Sequence, residues 1–403
     1  MNIAILIPSL AGGGAERVAA IVGGYYSDKG HKVYYFLGNT RFRKRYDVKG
    51  IIVNTGILNS SGSIIDGLVS LARSARIMRR YKKKYRIDVA FSFMEEFNYI
   101  NVLSRRSESV ICSECAITSL RPDMTGLLYN KYMICGLYNM ADRIVVISSY
   151  SAKELSEIYH VKKEKIVKIP NPVQLDKAGY MEKEWQYGDH AVICVGRHVE
   201  VKQQDIAIKA FSRVAELMED ARLIICGEGP QKPYLEKLIR ALGLQNKVYL
   251  LGFQSDITYY YEHAKVFLLT SDNEAFGNVV VEAMAAGLPV VSLDSPGGPP
   301  EILGCKKEKV NATEYAGYGI ITPHLRSNKG FKVTEQEKDL GNVVAQLLKD
   351  EKLWNHYSAM SKKRAQYYSH EKIMKKWDKL IVERWEKDKR NVKKRKKDSS
   401  SDA

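Results

Sequence analysis

Glu274 and Glu282, in the run EAFGNVVVE, stand on either side of Gly277 and Asn278. Apolar runs bracket them, Val266 to Thr270 before and Pro289 to Ser292 after, each with the character of a buried strand. Asp272 and Asn273 are good N-cap residues, so the pattern predicts a helix that starts near Gly277 and stops at Gly287. One carboxylate then lies in the loop before the helix and the other on its first turns. The backbone N–H groups of Gly277 and Asn278 fall at the positive end of that helix, where an anion is favoured. A phosphate flanked by two carboxylates that seek hydroxyls describes a sugar nucleotide. The same spacing also fits a surface helix with two solvated glutamates.

The elements that must position these groups are legible as short apolar runs separated by helix-length amphipathic stretches. Ile3–Ile7, Val33–Leu37, Val89–Phe93, Val110–Cys112 and Ile144–Ile147 form one series. Ala191–Val195, Leu223–Cys226, Val248–Leu251, Val266–Thr270 and Pro289–Leu293 form a second. Runs that are continuously apolar mark strands covered on both faces, and their alternation with helices implies parallel sheets with right-handed crossovers. Between the series lies Ile169-Pro-Asn-Pro172 and a polar stretch to His190, read as an interdomain hinge. At 403 residues the chain is too long for one ordinary core, which agrees with two domains.

Within this frame Arg197 directly follows the strand Ala191–Val195, at the carboxyl end where open α/β sheets bind ligands. Lys202 follows one turn later, and an arginine fork beside a lysine point charge suits a diphosphate. A strand-end arginine with an exposed lysine is the plain alternative. Gly12-Gly13-Gly14 after the first strand allows backbone to approach a phosphate closely, since no Cβ intervenes. A dinucleotide loop is disfavoured there, because the spacing is not G-x-G-x-x-G and no acidic residue closes the second strand. Cys112 and Cys115 form a C-x-x-C pair with no second pair or histidine pair to complete a zinc site. Reduced, buried thiols beside a strand are the expectation for the six cysteines.

Glu-x7-Glu in this setting resembles the signature of the retaining GT-B glycosyltransferases of family four. Three further segments are similar to that family in the expected order: Pro8 to Arg17 (PSLAGGGAER), Gly196-Arg197 with Lys202, and Ser295 to Leu303 (SPGGPPEIL). The C-terminal YSHEKIMKKWDKL also fits. The resemblance implies two Rossmann-like domains facing a cleft. Residues 1–172 would bind the acceptor and 173–370 the nucleotide sugar, with a helix at 371–387 crossing back to the first domain and a basic, serine-rich tail at 388–403 expected to be disordered. It implies that Glu282 binds ribose hydroxyls and that Glu274 contacts the transferred sugar. Arg197 and Lys202 would stabilise the leaving diphosphate, the main task of this chemistry. It further implies that Gly13, Gly14, Phe276, Gly277 and Asn278 line the donor, and that Gly252 and Phe253, in LGFQSD, hold the base, expected to be uracil. No Asp-x-Asp occurs in the sequence, so a metal-bridged diphosphate is disfavoured and no metal or other cofactor is expected. Several members place a histidine where Cys112-Ser-Glu114-Cys115 stands here. The polymer-building branch often has Ser-Glu there, which makes Glu114, with Glu16, the acceptor-side candidate and favours a polysaccharide enzyme.

The charge is uneven. Residues 1–172 carry 26 Lys and Arg against 14 Asp and Glu, residues 173–383 carry 28 of each, and residues 384–403 carry nine against four. A basic half beside a neutral half points to an anionic surface or acceptor touching one domain. From Ile64 to Arg86, apolar residues recur at Ile64, Leu68, Leu71, Ala75 and Met78, while Arg73, Arg76, Arg80 and Lys83 fall on another face. Eight cations occupy residues 73–86 with no acidic neighbour. Such a helix suits anionic lipid headgroups, with Arg41-Phe-Arg-Lys-Arg45 as a second cluster. A solvated face is the alternative. Nucleic acid is disfavoured, since no aromatic platform or DNA-reading motif accompanies the cations. No run of about 18 apolar residues exists, and MNIAILIPSL reads as a buried strand and not a signal peptide. The expected enzyme works in the cytoplasm at the inner membrane face, moving a hexose or N-acetylhexosamine from a UDP-sugar to a polyprenyl-diphosphate-linked saccharide. A soluble or diacyl-lipid acceptor, or a membrane-docked binding protein with a degenerate site, are the competing readings.

Overall fold

The computed structural model describes residues 1–38, 46–57, 64–120, 131–173 and 184–381. The chain divides into two units, Met1–Pro172 with the segment from His370 onward, and Val173–Ser369. The cluster Arg41 to Arg45, residues 174–183 of the hinge stretch and the C-terminal tail lie outside the described residues.

The first unit is built on seven parallel strands: β1 (Asn2–Ile7), β2 (Lys32–Leu37), β3 (Ile51–Asn54), β4 (Val89–Phe93), β5 (Ser109–Glu114), β6 (Arg143–Val146) and β7 (Ile166–Lys168). They run in the order β3-β2-β1-β4-β5-β6-β7, so the sheet reverses its winding between β1 and β4. Helices α1 (Gly14–Asp28), α2 (Ile64–Lys84), α3 (Glu95–Leu103) and α4 (Ser149–Glu157) connect them. The apolar β1 run is explained by two covered faces: Ile3, Ile5 and Ile7 enter one core, Ala4 and Leu6 the other. A final helix, α5 in neither sheet's crossover series, covers residues 370–381, and its Ile373, Met374, Trp377, Leu380 and Ile381 pack into the first of these cores. Trp377 stands edge-on to Phe91 at 5.5 Å.

The second unit repeats the plan with β8 (Ala191–Val195), β9 (Arg222–Cys226), β10 (Val248–Gly252), β11 (Val266–Leu269), β12 (Val290–Leu293), β13 (Glu314–Tyr315) and β14 (Ile320–Thr322). Their order is β10-β9-β8-β11-β12-β14-β13, parallel except for the β13–β14 pair, with the reversal between β8 and β11. The helices that matter for the site are Gln204–Leu217, which follows β8, and Asn278–Ala285, which follows β11. All ten apolar runs are strands. The sequence pattern missed β3, β7, β13 and β14, which are two to four residues long and lie at sheet edges or, for β14, beside one. Ile51 and Ile52 of β3 are exposed, so no buried run announces it.

Candidate functional site

The reversal points fix where each sheet can bind a ligand, because neighbouring crossovers diverge there and leave the strand ends open. In the second unit the loops at that point follow β8 and β11, and they carry Arg197, Lys202 and Glu274. Arg197 is exposed two residues past β8. Lys202 closes a short helical turn, Glu200–Lys202. Its Nζ forms an ion pair with Glu274 Oε2, each side chain about one-fifth exposed. The structure therefore brings together two of the residues singled out for chemistry, with the cation and the carboxylate neutralising each other.

The loop carrying Glu274 is clamped by the next one. Glu274 N–H donates to Pro296 O at 3.0 Å, and Gly298 N–H donates to Glu274 O at 2.9 Å. A Cβ at Gly298 would lie 2.2 Å from Phe276 O, so only glycine permits this approach. Phe276 is buried and meets Tyr368 edge-on at 5.6 Å. The helix starts at Asn278 with Gly277 as its N-cap at φ 95°, and Gly287 follows its end at φ 90°. Asp272 and Asn273 are not its caps. Asp272 instead faces His324 Nε2 at 3.2 Å and Arg326 Nε at 3.6 Å, and four intervening residues separate it from Gly277. Glu282 lies inside, 6% exposed, and accepts a hydrogen bond from Tyr261 Oη at 3.3 Å. Gly252 ends β10 at φ 70°, its carbonyl accepting from Gly227 N–H at 2.8 Å, while Phe253 beside it is exposed.

Sequence reading passed over the residues that hold the Arg197 loop. Gly227 and Gly229, just after β9, lie so close to that loop that Cβ atoms would fall 2.0 Å from Gly196 O and 2.4 Å from His198 O. Gln204 Nε2 donates to Gly196 O at 2.9 Å, and buried His198 contacts Gln204 Oε1 through Nδ1 at 2.6 Å. The Gly-x-Gly directly after an apolar run was the available signal.

In the first unit the reversal point brings the glycine loop after β1 to the carboxyl edge. Gly13 is the N-cap of α1 and Gly14 its first residue. Glu16 folds back over this loop: its carboxylate accepts from Gly12 N–H at 3.0 Å, Ala11 N–H at 3.3 Å and Ser9 Oγ. The loop N–H groups expected to meet a phosphate thus serve a carboxylate, which also suits the positive end of α1.

Glu114 ends β5 and is 1% exposed. Burial, followed by the charge of Glu95, pushes its carboxyl up to about 8. It terminates a buried chain of hydrogen bonds that runs through the helix side of the sheet. Lys82 Nζ donates to Asn101 Oδ1 (2.7 Å), Asn101 Nδ2 to Ser92 Oγ (3.0 Å) and Ser92 Oγ to Asn98 Oδ1 (2.7 Å). Asn98 Nδ2 then donates to Tyr138 Oη (2.9 Å), which donates to Glu114 Oε2 (2.5 Å). Every link donates toward Glu114. Lys82 also pairs with buried Glu108 at 2.8 Å, so this cation is not part of the surface stripe. Arg73, Arg76, Arg80 and Lys83 are exposed along α2, and Leu68 and Val69 on the same helix are exposed as well. Cys112 and Cys115 are free, and burial pushes both thiols up to about 12, which suits packing and not redox exchange. Among the described residues no group of His, Cys, Asp and Glu could hold a metal ion, and no helix is long and apolar enough to cross a membrane.

Two parallel-sheet α/β units, each with its winding reversed beside its first strand, define the GT-B architecture of glycosyltransferases. The comparisons agree. The family described as Glycosyltransferase Family 4 matches residues 12–177, and that described as Glycosyl transferases group 1 matches residues 181–364. An uncharacterized glycosyltransferase of Methanocaldococcus jannaschii is 34% identical over 277 residues, covering 64% of this chain and 68% of that protein. The N-acetylgalactosamine-N,N'-diacetylbacillosaminyl-diphospho-undecaprenol 4-alpha-N-acetylgalactosaminyltransferase of Campylobacter jejuni is 27% identical over 381 residues, 92% of this chain and 97% of its own. Anabaena HepE, solved in complex with UDP and glucose, superposes with a TM-score of 0.71 at 18% identity, covering 95% of this chain and all of that one. The chain belongs to the family-four glycosyltransferases of GT-B fold.

Proposed function

We propose that this glycosyltransferase is a retaining, metal-independent enzyme that moves a hexose or N-acetylhexosamine from a UDP-sugar to a polyprenyl-diphosphate-linked saccharide at an anionic membrane surface. The observation that carries the donor half is the placement of Arg197, Lys202, Glu274 and the Gly277–Asn278 helix start on loops after β8 and β11, with Glu282 on the helix behind them. Cations and a helix N-terminus meet the charge that grows on the departing diphosphate. In this reading Lys202 exchanges Glu274 for the diphosphate when donor binds, which releases Glu274 to the sugar. Glu282 takes the ribose hydroxyls, and Gly252 and Phe253 take the base.

The acceptor half is supported by the specificity of the Campylobacter relative, whose acceptor is a diphospho-undecaprenol-linked sugar, and by the exposed cations of α2 with exposed Leu68 and Val69 on the same helix. Glu16 and Glu114, at the carboxyl edge of the first sheet, are its acceptor-side residues. A panel of UDP-sugars, assayed for UDP release with and without a polyprenyl-diphosphate-linked saccharide and with EDTA or manganese, tests the whole reading. One donor should turn over only with the lipid-linked acceptor, in EDTA as well as in manganese. Turnover on a soluble acceptor alone would overturn the acceptor assignment, and loss in EDTA restored by manganese would overturn the metal-independent one.

A further inference from the structure

We propose that His198 is the positioning residue of the Arg197 loop: in its neutral form, protonated on Nδ1, it fixes the backbone that aims Arg197 at the donor diphosphate. The inference rests on the reading that Arg197 and Lys202 bind that diphosphate.

The tautomer follows from the neighbours. Gln204 Nε2 donates to Gly196 O at 2.9 Å, which orients the amide and turns its oxygen toward His198. That oxygen lies 2.6 Å from His198 Nδ1, and an amide oxygen can only accept, so Nδ1 carries the proton. Nε2 of the neutral ring is then a bare acceptor. The residue is 0% exposed, and Nε2 meets no partner among the described residues.

The backbone is tied as firmly as the ring. His198 N–H donates to Glu228 O at 2.8 Å, and Gln231 N–H donates to His198 O at 3.0 Å. With Gly227 and Gly229 pressed against Gly196 and His198, the residues on both sides of Arg197 are pinned to the loop after β9. The His198–Gln204 bond adds the tie to the helix that follows β8. Of the three, Arg197 is exposed, Gly196 is half-buried and His198 is buried. A guanidinium whose flanking backbone is fixed loses little freedom on binding, which is how a remote contact becomes affinity.

Protonation would break this arrangement, because a second N–H would be buried with no acceptor. Burial accordingly holds the ring below the usual histidine value; Gln204 opposes the shift, the Lys232 ammonium adds to it and Glu228 opposes it. Glu200 and Lys202 share its loop. Asp205 and Lys209, on the helix after β8, are engaged with Ser327 and Glu337, respectively. The loop should therefore loosen, and donor binding weaken, as pH falls through that lowered value.

Calorimetry with UDP on the full chain, between pH 5 and 8, tests this with His198→Asn and His198→Leu, and with Arg197→Ala as the control. Asparagine supplies an N–H near the place of Nδ1 and does not titrate. Losing one buried hydrogen bond that orders a binding loop should weaken UDP about tenfold in the leucine variant at pH 7.5. The asparagine variant should bind within about threefold of wild type at pH 7.5 and lack the acid loss that the wild type adds to ligand protonation, which is common to all variants. Wild-type affinity in His198→Leu, or an unchanged acid limb in His198→Asn, would overturn the inference. If the leucine variant fails to fold, the asparagine pH profile decides. UDP binding that survives Arg197→Ala would instead locate the failure in the donor-site reading.

Discussion

The Lys202–Glu274 pair and buried Glu282 give the two glutamates different thermodynamic signatures. If, as proposed, Arg197 and Lys202 act on charge that develops during the reaction, either alanine variant should lose at least ~100-fold in kcat, measured by UDP release. In the proposed reading Glu282 holds the ribose equally in ground and transition states, so Glu282→Ala should weaken UDP itself. Glu274→Ala should depress transfer while UDP affinity stays equal or rises, because Lys202 is released from its ion pair. Calorimetry giving the reverse pattern would mean the two roles are exchanged. Glu114 makes a separate prediction. Its carboxyl is raised from 4.5 to about 8, so the native state keeps a proton that the unfolded chain releases across that window. Stability contributed by this group is present at low pH and is lost as pH rises from 4.5 to about 8. Glu114→Gln removes that loss, so the variant's unfolding free energy relative to wild type should climb across the window and level off above it. Urea denaturation at pH 5 and 8.5 reads the difference, and a pH-independent offset would refute it. Arg197 and Glu114 were legible as candidates from type and strand-end position, and Glu274 and Glu282 from their spacing across a helix start. His198 and Gln204 were not, since their role depends on which side chains the folded loop closes upon.

Helix α2 shows where periodicity informs and where it misleads. Leu71, Ala75 and Met78 are buried as their spacing requires, and Arg73, Arg76, Arg80 and Lys83 share the opposite, exposed face. Lys82, four residues after Met78, occupies the inward position that an apolar residue would normally fill. A sequence run of cations gives no sign of this, because its partner Glu108 arrives from beyond α3, before β5. Burial pushes the Lys82 ammonium down to about 8 even with Glu108 beside it. Lys82→Met should leave Glu108 buried without its cation and destabilise the fold by about 3–5 kcal/mol. Replacing both, Lys82→Met with Glu108→Leu, should recover much of that loss, since an apolar pair avoids the desolvation of either charge. Equal destabilisation in the single and double variants, measured by chemical denaturation, would show that the pair is not coupled. The short strands were illegible for a related reason: β3 and β13 are edges held by backbone pairing, with little side-chain burial to leave a pattern.

At the scale of the whole chain, the division of charge is the feature most open to test. Residues 1–172 hold an excess of 12 positive charges, while residues 173–383 balance at 28 of each sign. The exposed stripe on α2 concentrates part of that excess on the helix that also exposes Leu68 and Val69, a combination that on an anionic bilayer would set cations at the headgroups and apolar side chains at the acyl boundary. Electrostatic attraction of this kind is screened over about 8 Å at physiological salt, so association with anionic vesicles should fall steeply as salt rises. Each cation near such a surface contributes about 1 kcal/mol, so reversing Arg76, Arg80 and Lys83 to glutamate should cut flotation with anionic liposomes by roughly tenfold or more. UDP affinity should be unchanged in the same variant, because Arg197, Lys202, Glu274 and Glu282 belong to the other unit. That pairing of results separates a docking defect from a folding defect, which would move both. If the triple reversal floats as well as wild type, the stripe is a solvated face, and the lipid-linked acceptor would rest on the Campylobacter relative alone.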